Sequence, residues 1–234
     1  MGPFSYYLAN HVTAALPRLG ARIHRSGFEH VPRTGPALLL ANHISHFDPP
    51  LMALKFPRHV HYMADKPLME IPVLGELLRR GYVFPIDRTK TDRAALRTAM
   101  ERLKAGNVVG IFPEGGIRHG KTAAVNGAEM PVGTASLWRM MDVPVIPMAV
   151  IGTDQLYSLR YYPWRARVFI RVGPVLPPDA KATREELRDR IVAAWRGLYE
   201  GMIRDYAIRP DELPQSAQQR WGKEPKPNSQ IFPN

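Results

Sequence analysis

Apolar runs and helix-spaced stripes alternate along this chain at short intervals. The runs "ALLLANH", "HVHYMA", "YVFPI", "NVVGIFP", "VPVIPMAVI" and "ARVFIRVG" each read as a strand. They are near-continuous in apolar residues, as strands covered on both faces are. Helical stretches lie between them. A short one follows Asp48-Pro49-Pro50 and runs through Phe56; an aspartate before proline suits an N-cap and first helical position. "PLMEIPVLGELLRRG" reads as helical after Pro72 and stops at Gly81. Thr89 to Asp92 resembles a capping box, followed by Leu96, Met100 and Leu103 on one face and a stop at Gly106. "GTASLWRMMD" is another helix. A second capping box, Thr183 with Glu186, opens a helix carrying Leu187, Ile191, Trp195, Leu198 and Met202 for about four turns. The two prolines of "VPVIPMAVI" predict an edge position or a bulge nearby. The alternation as a whole predicts an α/β domain with a mostly parallel central sheet flanked by helices.

The two ends read differently. Residues 1–25 place Phe4, Leu8, Val12, Ala15, Leu16, Leu19 and Ile23 at helical spacing, with Pro17 as a break or kink and Arg18, Arg22, His24 and Arg25 in the second half. This predicts an amphipathic helical segment, either packed on the core or lying in a membrane interface. From Ile208 the chain turns polar and proline-rich. Residues 208–234 are predicted to form a disordered or loosely docked tail, which leaves 26–207 as the domain. No internal repeat is found.

Composition then narrows the classes. The chain has 234 residues, enough for one sizeable domain, and 45% are hydrophobic. With no cysteine, disulfides and thiolate metal sites are excluded. The formal net charge of +11 calls for a polyanionic partner: nucleic acid, an anionic membrane surface or phosphorylated substrates. The Lys and Arg are dispersed among strands and helices and no nucleic-acid motif is recognised, so no nucleic acid is expected. The sequence holds neither a run of about 18 apolar residues nor a signal-peptide pattern, which sets the expectation of an intracellular protein.

The chemistry concentrates at "NHISHFD", residues 42–48, at the end of a predicted parallel strand, where open α/β sheets bind ligands. His43 and Asp48 are five apart across a turn. One imidazole nitrogen could donate to Asp48, leaving the other to accept a proton from a substrate hydroxyl. Two other readings stand beside this one. Asp48 could simply cap a helix over a buried His43. His43, His46 and Asp48, with His59 and His61 or His119 later, could ligate a metal, although the H-x-x-H-x-D spacing departs from the metallo-β-lactamase pattern. "GYVFPIDR" ends a strand with Arg88, a guanidinium suited to bidentate phosphate contact. "IFPEGG" ends the next strand with Glu114, Gly115 and Gly116, followed by Arg118 and Lys121; glycines there let backbone approach a ligand.

In this order, "NHISHFD", "GYVFPIDR", "FPEGG" and "VPVIPMAV" resemble the four blocks of the glycerolipid acyltransferase family, and within it the 1-acylglycerol-3-phosphate (lysophosphatidate) acyltransferases. The resemblance covers roughly residues 25 to 175 and includes "DKPLMEIPVLGELLRR". It implies transfer of a fatty acyl group from acyl-CoA or acyl-acyl-carrier protein to a lysophospholipid hydroxyl, giving phosphatidate in phospholipid biosynthesis. It implies His43 as general base, Asp48 as its orienting carboxylate, Arg88 as phosphate ligand, and Glu114, Gly115, Gly116 and Arg118 as acceptor-binding residues. No metal or bound cofactor is implied. Another lysophospholipid, glycerol-3-phosphate or a phosphate-free lipid would use the same chemistry; a metal-dependent hydrolase and a basic nucleic-acid-binding protein are the remote rivals of other classes. Backbone N–H groups near the 43–48 turn are the expected oxyanion donors. Two departures bear on the acceptor. Many members read F-P-E-G-T-R, whereas Arg118 here lies four residues after Glu114, and Val132 stands near the place of a common lysine. An anionic donor, acceptor and membrane give the positive charge a use, and place the protein in the cytoplasm, peripheral on the inner face of the cell membrane.

Overall fold

The computed structural model describes residues 11–12, 14–15, 17–54, 56–89 and 92–222. Among the described residues, seven strands form one sheet: β1 (Ala21–Ser26), β2 (Ala37–Ala41), β3 (Val60–Asp65), β4 (Phe84–Ile86), β5 (Val108–Ile111), β6 (Val145–Ile151) and β7 (Ala166–Val172). Their order is β1-β7-β6-β2-β5-β3-β4. Every pairing is parallel except β6 with β7. The chain therefore has the expected α/β architecture. The ends of β2, β3, β4, β5 and β6 all open on one side of the sheet, and that side carries the site.

Both faces are covered, which explains why β2 reads as an unbroken apolar run. Leu38 and Leu40 face one layer, formed by α4 (Arg93–Lys104), α5 (Gly133–Met141) and α6 (Arg184–Asp205), with Leu103, Trp138, Leu187 and Trp195 buried against the strands. Leu39 and Ala41 face the other, where Leu51, Met52 and Phe56 pack from α1 (Asp48–Ala53) and its exit. The Trp195 indole donates to the Leu40 carbonyl at 3.0 Å, so a large buried ring brings its polar atom to a partner.

Several local expectations change. Residues 21–26 do not continue an N-terminal helix; they form β1, paired in parallel with β7. Buried Ala21, exposed Arg22, half-buried Ile23 and exposed His24 fit a two-residue period as well as a helical one, and the helical turns end at residue 20. Phe4, Leu8 and Leu16 lie outside the described residues. The helix expected after Pro72 is present as α3 (Leu74–Arg80) and stops at Gly81; what the sequence did not show is a separate short helix before it, α2 (Lys66–Glu70), with Ile71 and Val73 exposed between the two. Asp92, not Thr89, caps α4, accepting from the Ala94 and Ala95 N–H groups at 2.9 and 3.0 Å. The Thr183–Glu186 box is present, and α6 runs 22 residues, well past four turns.

The Pro147 strand, β6, is central rather than an edge. The expected bulge lies beside it: from Met148 opposite Val172 to Val145 opposite Leu176, the partner side advances one residue more. There the proline's carbonyl still accepts from Gly173 N–H at 2.8 Å. The largest correction concerns the tail. Residues 208–222 are built into the fold through a 3₁₀ turn at Pro210–Glu212 and the short helix α7 (Ala217–Arg220), with Ile208, Glu212 and Arg220 buried. A single buried arginine, invisible to hydrophobic patterning, does much of the anchoring. Residues 223–234 lie outside the described residues.

Candidate active site

β2 ends at Ala41, and Asn42 holds the departing chain against the sheet. Its side chain mimics a strand pairing: Oδ1 accepts from Val150 N–H at 2.8 Å and Nδ2 donates to Val150 O at 3.0 Å. The next residue, His43, is 9% exposed. Its Nδ1 stands 2.8 Å from Asp48 Oδ2, and the ring stacks on Phe112 with centroids 4.2 Å apart.

Asp48 is the first residue of α1 but does not cap it. The helix has no side-chain cap, and the carboxylate turns back over the preceding loop. Oδ2 accepts from the Ile44 and Ser45 N–H groups at 2.7 and 2.9 Å, and Oδ1 accepts from Thr153 Oγ1. A fully buried carboxylate with this many donors is held in one orientation. It fixes the tautomer of His43: Nδ1 carries the proton, and Nε2 carries the lone pair.

The loop after β5 grips the histidine's main chain from both sides. Glu114, 5% exposed, accepts His43 N–H on Oε2 at 3.2 Å and Ala124 N–H on Oε1 at 2.7 Å. Burial raises its carboxyl above the ordinary glutamate range, and the two backbone donors oppose that rise. Arg118 N–H donates to His43 O at 2.8 Å. Gly115 makes the turn with φ of 72°, a left-handed conformation that glycine adopts without strain. Arg88, exposed at the end of β4, donates from Nη1 to the Gly115 carbonyl at 2.6 Å. A side chain on Gly116 would come within 4 Å of the Arg118 guanidinium. A cleft of about 290 Å³ opens beside this loop, lined by Met63, Ile86, Asp87, Arg88, Ile111, Phe112 and Gly115.

All seven candidate residues are thus brought together: His43 with Asp48, Glu114 and Arg118 on the His43 main chain, Arg88 on Gly115, and Gly116 beneath Arg118. The metal grouping does not assemble. His46 turns to the Tyr157 hydroxyl, 2.6 Å from its Nδ1, while His61 and His59 lie against Tyr82. Among the described residues, no three His, Asp or Glu side chains converge on a common point. Backbone oxyanion donors in the 43–48 turn are also ruled out, because each N–H there already has an acceptor. These are Glu114 for His43, Asp48 for Ile44 and Ser45, the Tyr157 hydroxyl for His46, Ser45 Oγ for Phe47 and Ser45 O for Asp48. Two contributors carried no sequence signal. Phe112 sits inside a noted motif, but its stacking on His43 cannot be read from spacing, and Thr153 lies 105 positions from Asp48.

Comparison with known proteins places the fold and the family. The fold matches the crystal structure of the 1-acyl-sn-glycerophosphate acyltransferase PlsC from Thermotoga maritima, with a TM-score of 0.64 at 23% identity over 84% of this chain and 81% of that one. A 1-acyl-sn-glycerol-3-phosphate acyltransferase of Bacillus subtilis is 31% identical over 96 residues, 41% of this chain and 45% of the relative. One from Saccharomyces cerevisiae is 25% identical over 212 residues, 86% of this chain and 69% of the relative. The Bacillus match thus spans less than half of that protein. The Acyltransferase family model matches residues 22–151, which contain every candidate residue from His43 to Arg118, and the chain belongs to that family.

Proposed function

We propose that the chain moves a fatty acyl group from an acyl thioester, acyl-CoA or acyl-acyl-carrier protein, to the free hydroxyl of 1-acylglycerol-3-phosphate, forming phosphatidate for phospholipid synthesis. The observation that carries this reading is the His43–Asp48 contact of 2.8 Å beside a cleft that presents Arg88. The similar proteins of Bacillus and yeast, named for this activity, support it.

His43 Nε2 takes the proton of the acceptor hydroxyl as its oxygen attacks the thioester carbonyl. The resulting imidazolium is stabilised by the Asp48 carboxylate. As the tetrahedral intermediate collapses, the carbon–sulfur bond breaks and His43 returns its proton to the departing thiolate. The products are the diacyl ester and a free thiol. A thioester is already activated, so a base, orientation and charge stabilisation suffice for the proposed step. Arg88 binds the acceptor phosphate, and Gly115, Gly116 and Arg118 shape the same wall. Glu114 holds the loop that carries the base. The protein works as a peripheral protein on the inner, anionic face of the cell membrane, attracted by its net charge of +11. Among the described residues no helix is long and apolar enough to cross a membrane.

The test is product analysis by chromatography, with palmitoyl-CoA and a panel of lysophosphatidate, lysophosphatidylethanolamine, glycerol-3-phosphate and monoacylglycerol. Phosphatidate from lysophosphatidate is the expected main product. A preference for monoacylglycerol would overturn the role of Arg88, and thiol release without acceptor would make the protein a thioesterase.

A further inference from the structure

The family match ends at Ile151, two residues before the group that completes the Asp48 shell. β6 leaves the sheet through Gly152, whose φ is 93°; a Cβ there would fall 2.1 Å from the Arg167 carbonyl oxygen, so the turn demands glycine. The turn buries Thr153 and Asp154 completely. Thr153 Oγ1 donates to Asp48 Oδ1, the carboxylate oxygen that His43 does not contact. Asp154 faces the opposite way. Its Oδ2 accepts from Arg220 Nε at 2.7 Å and from Gln215 N–H at 2.9 Å.

Arg220 belongs to the docked segment 208–222. Its side chain and that of Asp154 are both 0% exposed. Arg220 Nη1 donates to Asp211 O and Nη2 to Leu213 O, each at 2.8 Å. One residue on, Trp221 Nε1 donates to Tyr157 O at 2.6 Å. The Tyr157 hydroxyl accepts in turn from His46 N–H at 3.0 Å, in the loop between His43 and Asp48. Burying a charge pair is costly unless geometry and hydrogen bonding are nearly complete, so a pair in this place points to a need for a fixed position. The position it fixes is that of the 152–157 turn.

We propose that Thr153 is a positioning residue for the His43–Asp48 pair, and that residues 208–222 hold it in place through the Arg220–Asp154 ion pair. The role rests on the reading of His43 and Asp48 as the reacting pair. Three donors to Oδ2 fix one end of the carboxylate; the Thr153 hydroxyl on Oδ1 stops it swinging about that end. The C-terminal segment, distant in sequence from every catalytic motif, then belongs to the catalytic apparatus.

The experiment compares wild type with His43→Ala, Thr153→Val, Thr153→Ser and the paired apolar replacement Asp154→Leu/Arg220→Met, which leaves no lone buried charge. The first readout is the low-field proton resonance of the His43 Nδ1–H, assigned by its loss in His43→Ala, and it needs no substrate. It is expected to shift or vanish in Thr153→Val and in the paired replacement, and to return in Thr153→Ser. The second is acyl transfer, where kcat should fall about 10- to 100-fold in Thr153→Val, the size of a lost hydrogen bond to a charge, with both KM values held and Thr153→Ser restoring turnover. A Thr153→Val protein with the wild-type resonance and wild-type kcat overturns the proposal. So does a Thr153→Ser protein as impaired as Thr153→Val. A wild type that transfers no acyl group refutes the proposed function instead, and the resonance still decides the role of Thr153.

Discussion

The carboxylate of Glu114 accepts the main-chain N–H of His43 at 3.2 Å, so the acid of the "FPEGG" loop reaches the loop of the first motif through its backbone. Its other oxygen holds Ala124 N–H, and Arg118 N–H holds the carbonyl of the same histidine. Two motifs 71 positions apart thereby act as one rigid unit.

Glu114→Gln tests that clamp. The amide keeps one acceptor oxygen but turns an NH₂ toward the second N–H, leaving a buried donor unpaired at a cost of about 1–3 kcal/mol. Urea unfolding should show a loss of that size, accompanied by reduced kcat. A variant as stable and as active as wild type would show that the clamp has no consequence.

Asp48→Asn keeps the shape of the site and removes its charge. The amide cannot accept all of the donors now meeting the carboxylate, and the His43 tautomer is no longer enforced. Turnover should fall by about 100-fold or more while KM changes little, as measured in steady-state assays of acyl transfer.

Arg88→Ala should act on the acceptor. Loss of a charge-assisted contact to a phosphate is worth about 1.5–3 kcal/mol, so KM for lysophosphatidate should rise by roughly 10- to 100-fold. The KM for palmitoyl-CoA should hold. A rise confined to the donor would move Arg88 to the other substrate.

The core can be tested separately from the chemistry. Trp195 is fully buried and satisfies its indole on Leu40 O. Trp195→Ala should cost about 3–5 kcal/mol in urea unfolding, against a much smaller loss for an exposed position such as Leu159→Ala.

Much of this was legible in the sequence because it is local or periodic. Continuous apolar runs gave the parallel strands, and the motif order brought His43, Asp48, Arg88, Glu114 and Arg118 to one end of the sheet. The errors have physical causes. Ile23 and its neighbours satisfy both a helical and a two-residue period, and only pairing with β7 decides between them. Asp48 before proline looks like a cap, yet its carboxylate is claimed by the preceding loop instead. The docking of residues 208–222 was hidden because it rests largely on long-range polar contacts, Arg220 with Asp154, Glu212 with Arg167 and Trp221 with the Tyr157 carbonyl, rather than on an apolar stripe. The Thr153 contact was hidden for the same reason, being a single hydroxyl reaching across the fold.

The most direct test of the account is thiol release from palmitoyl-CoA, with and without lysophosphatidate, by wild type and His43→Ala. The absence of cysteine from the chain keeps the thiol background low. Acceptor-dependent release by wild type, lowered at least about 100-fold in a His43→Ala protein that melts as wild type does, is the expected result. A folded His43→Ala protein that turns over within a few-fold of wild type would contradict the account.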